Sequence, residues 1–201
     1  MNKSNSKIQL KYYNNCRIKS GVNSRQVGWG GKKSQETRFD VLLKYFKKNK
    51  KISLLDVGSG KSDLLEYLKK KKYKQVTYTG LDINEFFIQE AKKKYKKSKF
   101  LSGDYLNINL KNKYDIVFIS GLFNLNVSNN LNHLKKIIAK GCEDSKLFFI
   151  FNILSSTSKK KFNKFFYVNP EKIINIINQH SKRYIVDHSY FDHDFTVVIY
   201  K

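Results

Sequence analysis

Acid is in short supply in this chain: 16 Asp and Glu stand against 40 Lys and Arg, for a formal charge of +24 at pH 7. Arginine is nearly absent too, confined to Arg17, Arg25, Arg38 and Arg183, and Ala and Pro are almost missing while Asn, Ile, Tyr and Phe abound. That set is what A/T-rich codons encode. Coding bias therefore accounts for the charge without a polyanionic partner, and a solvated lysine face is a simpler reading than a nucleic-acid groove. A nucleic-acid partner stays open but is not favoured. Cysteine is limited to Cys16 and Cys142, at no metal-ligand spacing. They read as free structural thiols, so no metal site is expected. No run of about 18 apolar residues exists to span a membrane, and the start carries no apolar secretory stretch, so a cytoplasmic location without a membrane partner is expected.

What is present reads as one α/β domain over residues 1–201, with residues 1–33 a lid or extension and 34–201 the core. The periodicities predict a helix over 36–48, starting near Gln35 with Ser34 as its cap, then a buried strand over 52–57 and a helix over 63–71. A strand over 76–81, a helix over 85–95, a short strand at 100–101 and an apolar strand over 114–120 follow. A helix over 131–139 and a strand over 146–153 come next. Pro170 opens a further helix at its first turn, where a missing N–H does no harm. Residues 184–187 and 196–200 read as an antiparallel hairpin joined by a short polar and aromatic connection. Alternating strands and helices imply a mostly parallel sheet covered on both faces, with ligands bound beyond the carboxyl ends of its strands.

The turn after the first strand, Asp56-Val57-Gly58-Ser59-Gly60-Lys61-Ser62-Asp63, imitates two different loops. Gly60-Lys61-Ser62 copies the end of a nucleotide-binding P-loop, but the glycine such a loop needs five residues before Gly60 is Leu55, inside the strand. A dinucleotide turn fares no better, because Asp56 and Asp63 would repel a pyrophosphate. Carboxylates suit a cationic ligand instead. Asp82 ends the second strand about 20 residues on, where an acid accepts from ribose hydroxyls. By itself Asp82 reads as a cap for the next helix. Asp104, after the third strand, can accept from an adenine amino group while Ile83 or Tyr105 flanks the ring. Three acids at three successive strand ends behind a glycine turn are much less expected by chance than any one of them.

With these residues the chain resembles the class I S-adenosylmethionine-dependent methyltransferases, strongly over 52–125 and in topology to residue 201. The resemblance implies S-adenosylmethionine as cofactor and a Rossmann-like seven-stranded sheet in the order 3-2-1-4-5-7-6, its last strand antiparallel. It implies that Asp56, Gly58, Ser59 and Gly60 approach the methionyl part, Asp82 holds the ribose and Asp104 reads the adenine. Ser120 closes the fourth strand beside them. Ser62 departs from the pattern, which usually has a third glycine there. The segment around Trp29 reads as a hinged lid over the site, or as a packing anchor, and Arg38 as a cation able to reach the methionyl carboxylate, or as a surface charge.

Methyl transfer to an already nucleophilic atom needs mainly alignment, so a strong catalytic signature is not expected. The Asn or Asp, Pro, Pro, aromatic run of base-amine methylation is absent after the fourth strand, and no cysteine sits where cytosine C5 chemistry needs one. The expected acceptor is an O or N nucleophile of a small molecule or biosynthetic intermediate; the alternative is RNA, met by the basic surface. His188 or His193, in the terminal connection, is the candidate base, whereas His133 and His180 fall in predicted helices and read as structural. Residues 159–161, a lysine run in a predicted loop, are the expected contact for an anionic substrate.

Overall fold

The computed structural model describes residues 3–19 and 30–201. Helix α1 (Lys3–Lys19) stands before α2 (Lys32–Leu43). Then β1 (Ile52–Val57), α3 (Asp63–Lys70), β2 (Val76–Asp82), α4 (Glu85–Lys94) and β3 (Lys99–Ser102) alternate, followed by a 3-10 turn at Tyr105–Asn107. The second half runs β4 (Tyr114–Ile119), α5 (Asn130–Asp144), β5 (Ser145–Leu154), α6 (Pro170–Ile177), β6 (Tyr184–Phe191) and β7 (Asp194–Tyr200). The strands form one sheet in the order β3-β2-β1-β4-β5-β7-β6. Only β7 runs against its neighbours, pairing antiparallel with β5 and β6, so both the order and the reversed last strand are as expected.

Strand periodicity sorts the core to the two faces of the sheet. Leu55 and Val57 of β1 join Val117, Ile119, Phe149 and Phe151 under α5 and α6. Ile52 and Leu54, one residue out of phase, join Ile116, Phe118 and Ile150 under α2, α3 and α4. Helix α6 presents Ile173, Ile176 and Ile177 to the first cluster, with Asn169 accepting from the Glu171 N–H ahead of Pro170.

The structure corrects the local reading in four places. Helix α1 was not anticipated, because its buried positions include Asn5 and Gln9 and carry no apolar stripe. Helix α2 begins at Lys32 with Gly31 as cap residue, and Ser34 is not the cap. Its hydroxyl accepts from Arg38 Nη1 at 2.8 Å instead. Helix α5 continues through Gly141 to Asp144, because that glycine serves packing and not termination: a Cβ there would lie 2.5 Å from the Phe149 ring. The terminal connection is itself strand, β6 and β7 being separated only by Asp192 and His193, so it builds no separate loop.

Candidate active site

Beyond the carboxyl ends of β1, β2 and β4 lies a cavity of about 1100 Å³, its open mouth included. Its floor is the turn after β1. Gly58 and Gly60 hold φ of +76° and +52°, a region that costs glycine little. The N–H groups of Gly58 and Ser59 both donate to Leu81 O, at 2.8 and 3.0 Å, which ties the turn to the end of β2. Ser62 takes the same left-handed backbone at φ +64° although it has a side chain. The position where the resembled pattern has glycine is thus one where backbone geometry asks for it.

Asp82 is fixed by two backbone donors: its Oδ2 accepts from Gly60 N at 2.8 Å and its Oδ1 from Asn84 N at 2.7 Å. Burial pushes its carboxyl up to about 6, against the pull of those donors. Asp56 accepts from the Tyr78 hydroxyl at 2.6 Å. Burial raises it to about 7, opposed by that hydrogen bond and reinforced by Asp82 and Asp63. Asp63, also raised by burial, accepts from Gln35 Nε2 at 3.0 Å. Asp104 accepts from Leu106 N at 3.1 Å and caps the 3-10 turn, while the Tyr105 hydroxyl donates to Asp144 at 2.7 Å.

Asp56, Gly58, Ser59, Gly60, Asp82, Ile83, Asp104, Tyr105 and Ser120 all line this one cavity. Arg38 does not. It is 3% exposed and donates through Nε, at 2.8 Å, and Nη2 to Asp194, itself 0% exposed. Tyr190 adds its hydroxyl to the same carboxylate at 2.7 Å, and the Phe191 ring lies under the guanidinium. Arg38 thus joins α2 to the β6–β7 hairpin. His188 and His193 are absent from the cavity wall as well. The first is exposed with Nε2 3.2 Å from Asp192 O, and the second stacks on Phe191. Trp29 lies outside the described residues.

Sequence reasoning missed three parts. Asn152, buried on β5, accepts from Gly121 N at 3.0 Å and donates to Ser120 Oγ at 2.9 Å, clamping the end of β4. His133, read as structural, lines the cavity near the start of α5, and burial holds its imidazole below the ordinary value. Helix α1 roofs the chamber with Gln9, Tyr12 and Tyr13. Asn5 and Ser128 exchange hydrogen bonds of 2.7 and 2.8 Å, and Asn84 donates to Asn14 at 3.0 Å, so both ends of α1 are tied down. The one available signal was the spacing of Asn5, Gln9, Tyr13 and Cys16, a helical stripe of polar and aromatic residues.

The wall holds four aspartates and, among the described residues, no Lys or Arg, in a chain of charge +24. Two buried polar atoms in it, Ser59 Oγ and Asn124 Oδ1, have no hydrogen-bond partner among the described residues. Buried polar atoms are rarely left unmatched, so both suit a ligand that supplies hydrogen bonds. A zwitterion with an added sulfonium charge, such as S-adenosylmethionine, fits this donor set.

Comparison with known proteins agrees. A family model described as a methyltransferase domain matches residues 48–185. The chain matches none of the curated proteins. Among solved structures it is similar to magnesium protoporphyrin IX methyltransferase from Synechocystis, with a TM-score of 0.69 at 13% identity over 98% of this chain and 99% of that one. It is similar to the N-methyltransferase NodS from Bradyrhizobium japonicum, with a TM-score of 0.70 at 11% identity over 96% and 98%. It also resembles a small RNA methyltransferase, at TM-score 0.64 and 13% identity, over 83% of this chain and 25% of that one. These likenesses show a shared fold and leave the acceptor open, whereas the family match covers most of the chain. The chain belongs to the S-adenosylmethionine-dependent methyltransferases.

Proposed function

We propose that this enzyme methylates an O or N nucleophile of a small molecule or biosynthetic intermediate. The observation that carries the reading is the roof: α1, tied at Ser128 and Asn84, closes the chamber over the strand ends. A chamber roofed by Gln9, Tyr12 and Tyr13 and walled by the strand ends suits a cofactor and a small acceptor better than a polymer. Residues 1–33 act in this reading as the lid.

The cofactor, when bound, supplies an electrophilic methyl group on a sulfonium. Asp82, held by its two backbone donors, accepts from the ribose hydroxyls, and Asp104 from the adenine amino group, with Ile83 and Tyr105 beside the ring. The Gly58–Gly60 turn lies along the methionyl part, with Asp56 and Asp63 stabilising positive charge. Asn152 keeps Ser120 and Gly121 in place beside the reacting centre. Alignment supplies most of the rate, and His133, neutral and in the wall, is better placed than His188 or His193 to take a proton from the acceptor. The unpaired thiols of Cys16 and Cys142 support a reducing, cytoplasmic setting.

The test has two stages. Calorimetry with S-adenosylhomocysteine should show one site, and stabilisation by magnesium-ATP in its place would defeat the cofactor assignment. Tritium from labelled S-adenosylmethionine should then enter a nuclease-treated small-molecule extract. Transfer into total RNA, with none into that extract, would replace the small acceptor by the RNA-directed reading.

A further inference from the structure

The lysines of this chain differ in what they face. Several have acidic partners: Lys70 pairs with Glu36, Lys71 with Asp40, Lys94 with Glu66 and Lys61 with Glu90. The segment between β5 and α6 is different. It carries Lys159, Lys160, Lys161 and Lys164, all exposed, and no Asp or Glu occurs between Asp144 and Glu171. Among the described residues none of these four lysines is ion-paired. Two of them lie over aromatic faces instead, Lys160 Nζ 5.3 Å from the centroid of Phe162 and Lys164 Nζ 5.0 Å from that of Phe165.

This segment is also fixed to the cavity wall. Phe165 lines the cavity and bridges to Leu125, Asn126 N donates to Lys164 O at 2.9 Å, and Phe166 N donates to Asn124 O at 2.9 Å. Lys164 therefore stands beside the end of the chamber formed by Asn124, Leu125 and Phe165, with Lys159, Lys160 and Lys161 on the same segment, whereas the aspartates line the wall near the ends of β1, β2 and β3. Phe162, 48% exposed, adds an apolar platform between them. An uncompensated cluster of charge at a cleft mouth concentrates ligands of opposite sign. A phosphate or carboxylate would be repelled by the aspartate floor but held outside it by ammonium groups, each a point charge able to donate several hydrogen bonds.

Resting on the small-acceptor reading above, we infer that the acceptor is a two-part molecule. Its uncharged nucleophilic end enters the chamber between Asn124 and Phe165, and an anionic group, phosphate or carboxylate, stays outside on Lys159, Lys160, Lys161 and Lys164. The lysine segment is a specificity-determining site and takes no part in the chemistry.

The test separates acceptors by charge. Nuclease-treated small-molecule extract is split on an anion exchanger at pH 7, and each pool is offered to the full chain with tritiated S-adenosylmethionine. Label should enter the retained pool, and phosphatase treatment of that pool should lower transfer at subsaturating acceptor about tenfold for a phosphate acceptor and leave it unchanged for a carboxylate. Changing the four lysines together to Ala should raise KM for the pool by about tenfold, the combined loss of several exposed charge contacts of a few-fold each. It should leave kcat and the affinity for S-adenosylhomocysteine within about twofold, since uniform binding alone is removed. The four-Arg variant should restore KM, and Lys92, Lys93, Lys96 and Lys97 changed to Ala should leave it alone. As a readout free of turnover, pyrophosphate titrated into labelled protein saturated with S-adenosylhomocysteine should shift the amides of residues 158–166 in the wild type and not in the four-Ala variant. Label in the unretained pool, an unchanged KM, or no pyrophosphate shift in that segment would overturn the inference. Loss of S-adenosylhomocysteine binding by the wild type would instead defeat the cofactor assignment on which it rests.

Discussion

With Asp82 as the proposed ribose acceptor, cofactor affinity should depend on pH. The Asp82 carboxyl titrates near 6 because burial outweighs two backbone donors. As an ionised acceptor it offers lone pairs on both oxygens; protonated, it gives one of them up. At pH 8 nearly all of it is ionised, whereas at pH 5, one unit below about 6, about one molecule in eleven is, so affinity should be about tenfold weaker at pH 5 than at pH 8. Titration calorimetry with S-adenosylhomocysteine across that range measures it. The sign follows from which form binds: affinity is full above the carboxyl's value and falls as pH drops through it.

Asp56, near 7 in the same cavity, contributes a second step that must be separated from the first. Asp56→Asn should keep a break near pH 6. Asp82→Asn should lose it and bind about 10- to 100-fold more weakly, because the amide nitrogen cannot accept from a ribose hydroxyl and a hydrogen bond to a charged group, about 1.5–3 kcal/mol, is lost. Wild-type affinity that is equal at pH 5 and pH 8 would refute the reasoning, as would a break near 6 that survives Asp82→Asn. In that event Asp82 would only brace the turn through Gly60 and Asn84, with no bond to the ligand.

Three further outcomes follow from the same geometry. Arg38→Ala should cost about 3–5 kcal/mol in urea unfolding, since it leaves Asp194 buried without its cation, while the folded fraction binds S-adenosylhomocysteine as before; a large loss of affinity with little loss of stability would instead put Arg38 at the methionyl carboxylate. Asp56 is raised on folding from an ordinary 3.8 to about 7, so the folded state holds the proton more tightly and the ligand-free protein loses about 1.4 kcal/mol per pH unit through that window. Asp56→Asn should accordingly stabilise the free protein at pH 8 and make no difference below pH 4, by thermal unfolding at both values. Ser62→Gly should raise stability by up to about 1 kcal/mol by relieving the left-handed backbone, a gain that the added freedom of glycine in the unfolded chain partly offsets.

The sheet was legible because buried parallel strands declare themselves in apolar runs such as residues 114–120, and because acids at strand ends are few enough to stand out. The parts that were hidden share a physical cause. Helix α1 buries amides and phenols against a cavity, so no apolar periodicity marks it. Gly141 looks like a stop signal, and only the ring of Phe149 reveals that its missing side chain makes room. Arg38 was visible as a cation near the site, but its partner Asp194 lies 156 positions away, a distance over which a single sequence carries no pairing information.

Charge shows the same division between what composition records and what folding arranges. The +24 total is a sum, and a sum conceals sign segregation. Folding gathers Asp56, Asp63, Asp82 and Asp104 into one cavity wall and leaves the lysines outside, six of them, among the described residues, paired with other acids. Carboxylates brought together at low exposure repel one another, which is why Asp56 is raised by Asp82 and Asp63 in addition to burial. That repulsion costs stability in the free protein and is relieved by a cation. An acidic chamber inside a basic chain therefore amounts to selection for a positively charged ligand. By the same reasoning, the four lysines that folding leaves uncompensated at the rim point to a negative group on the molecule that the ligand modifies.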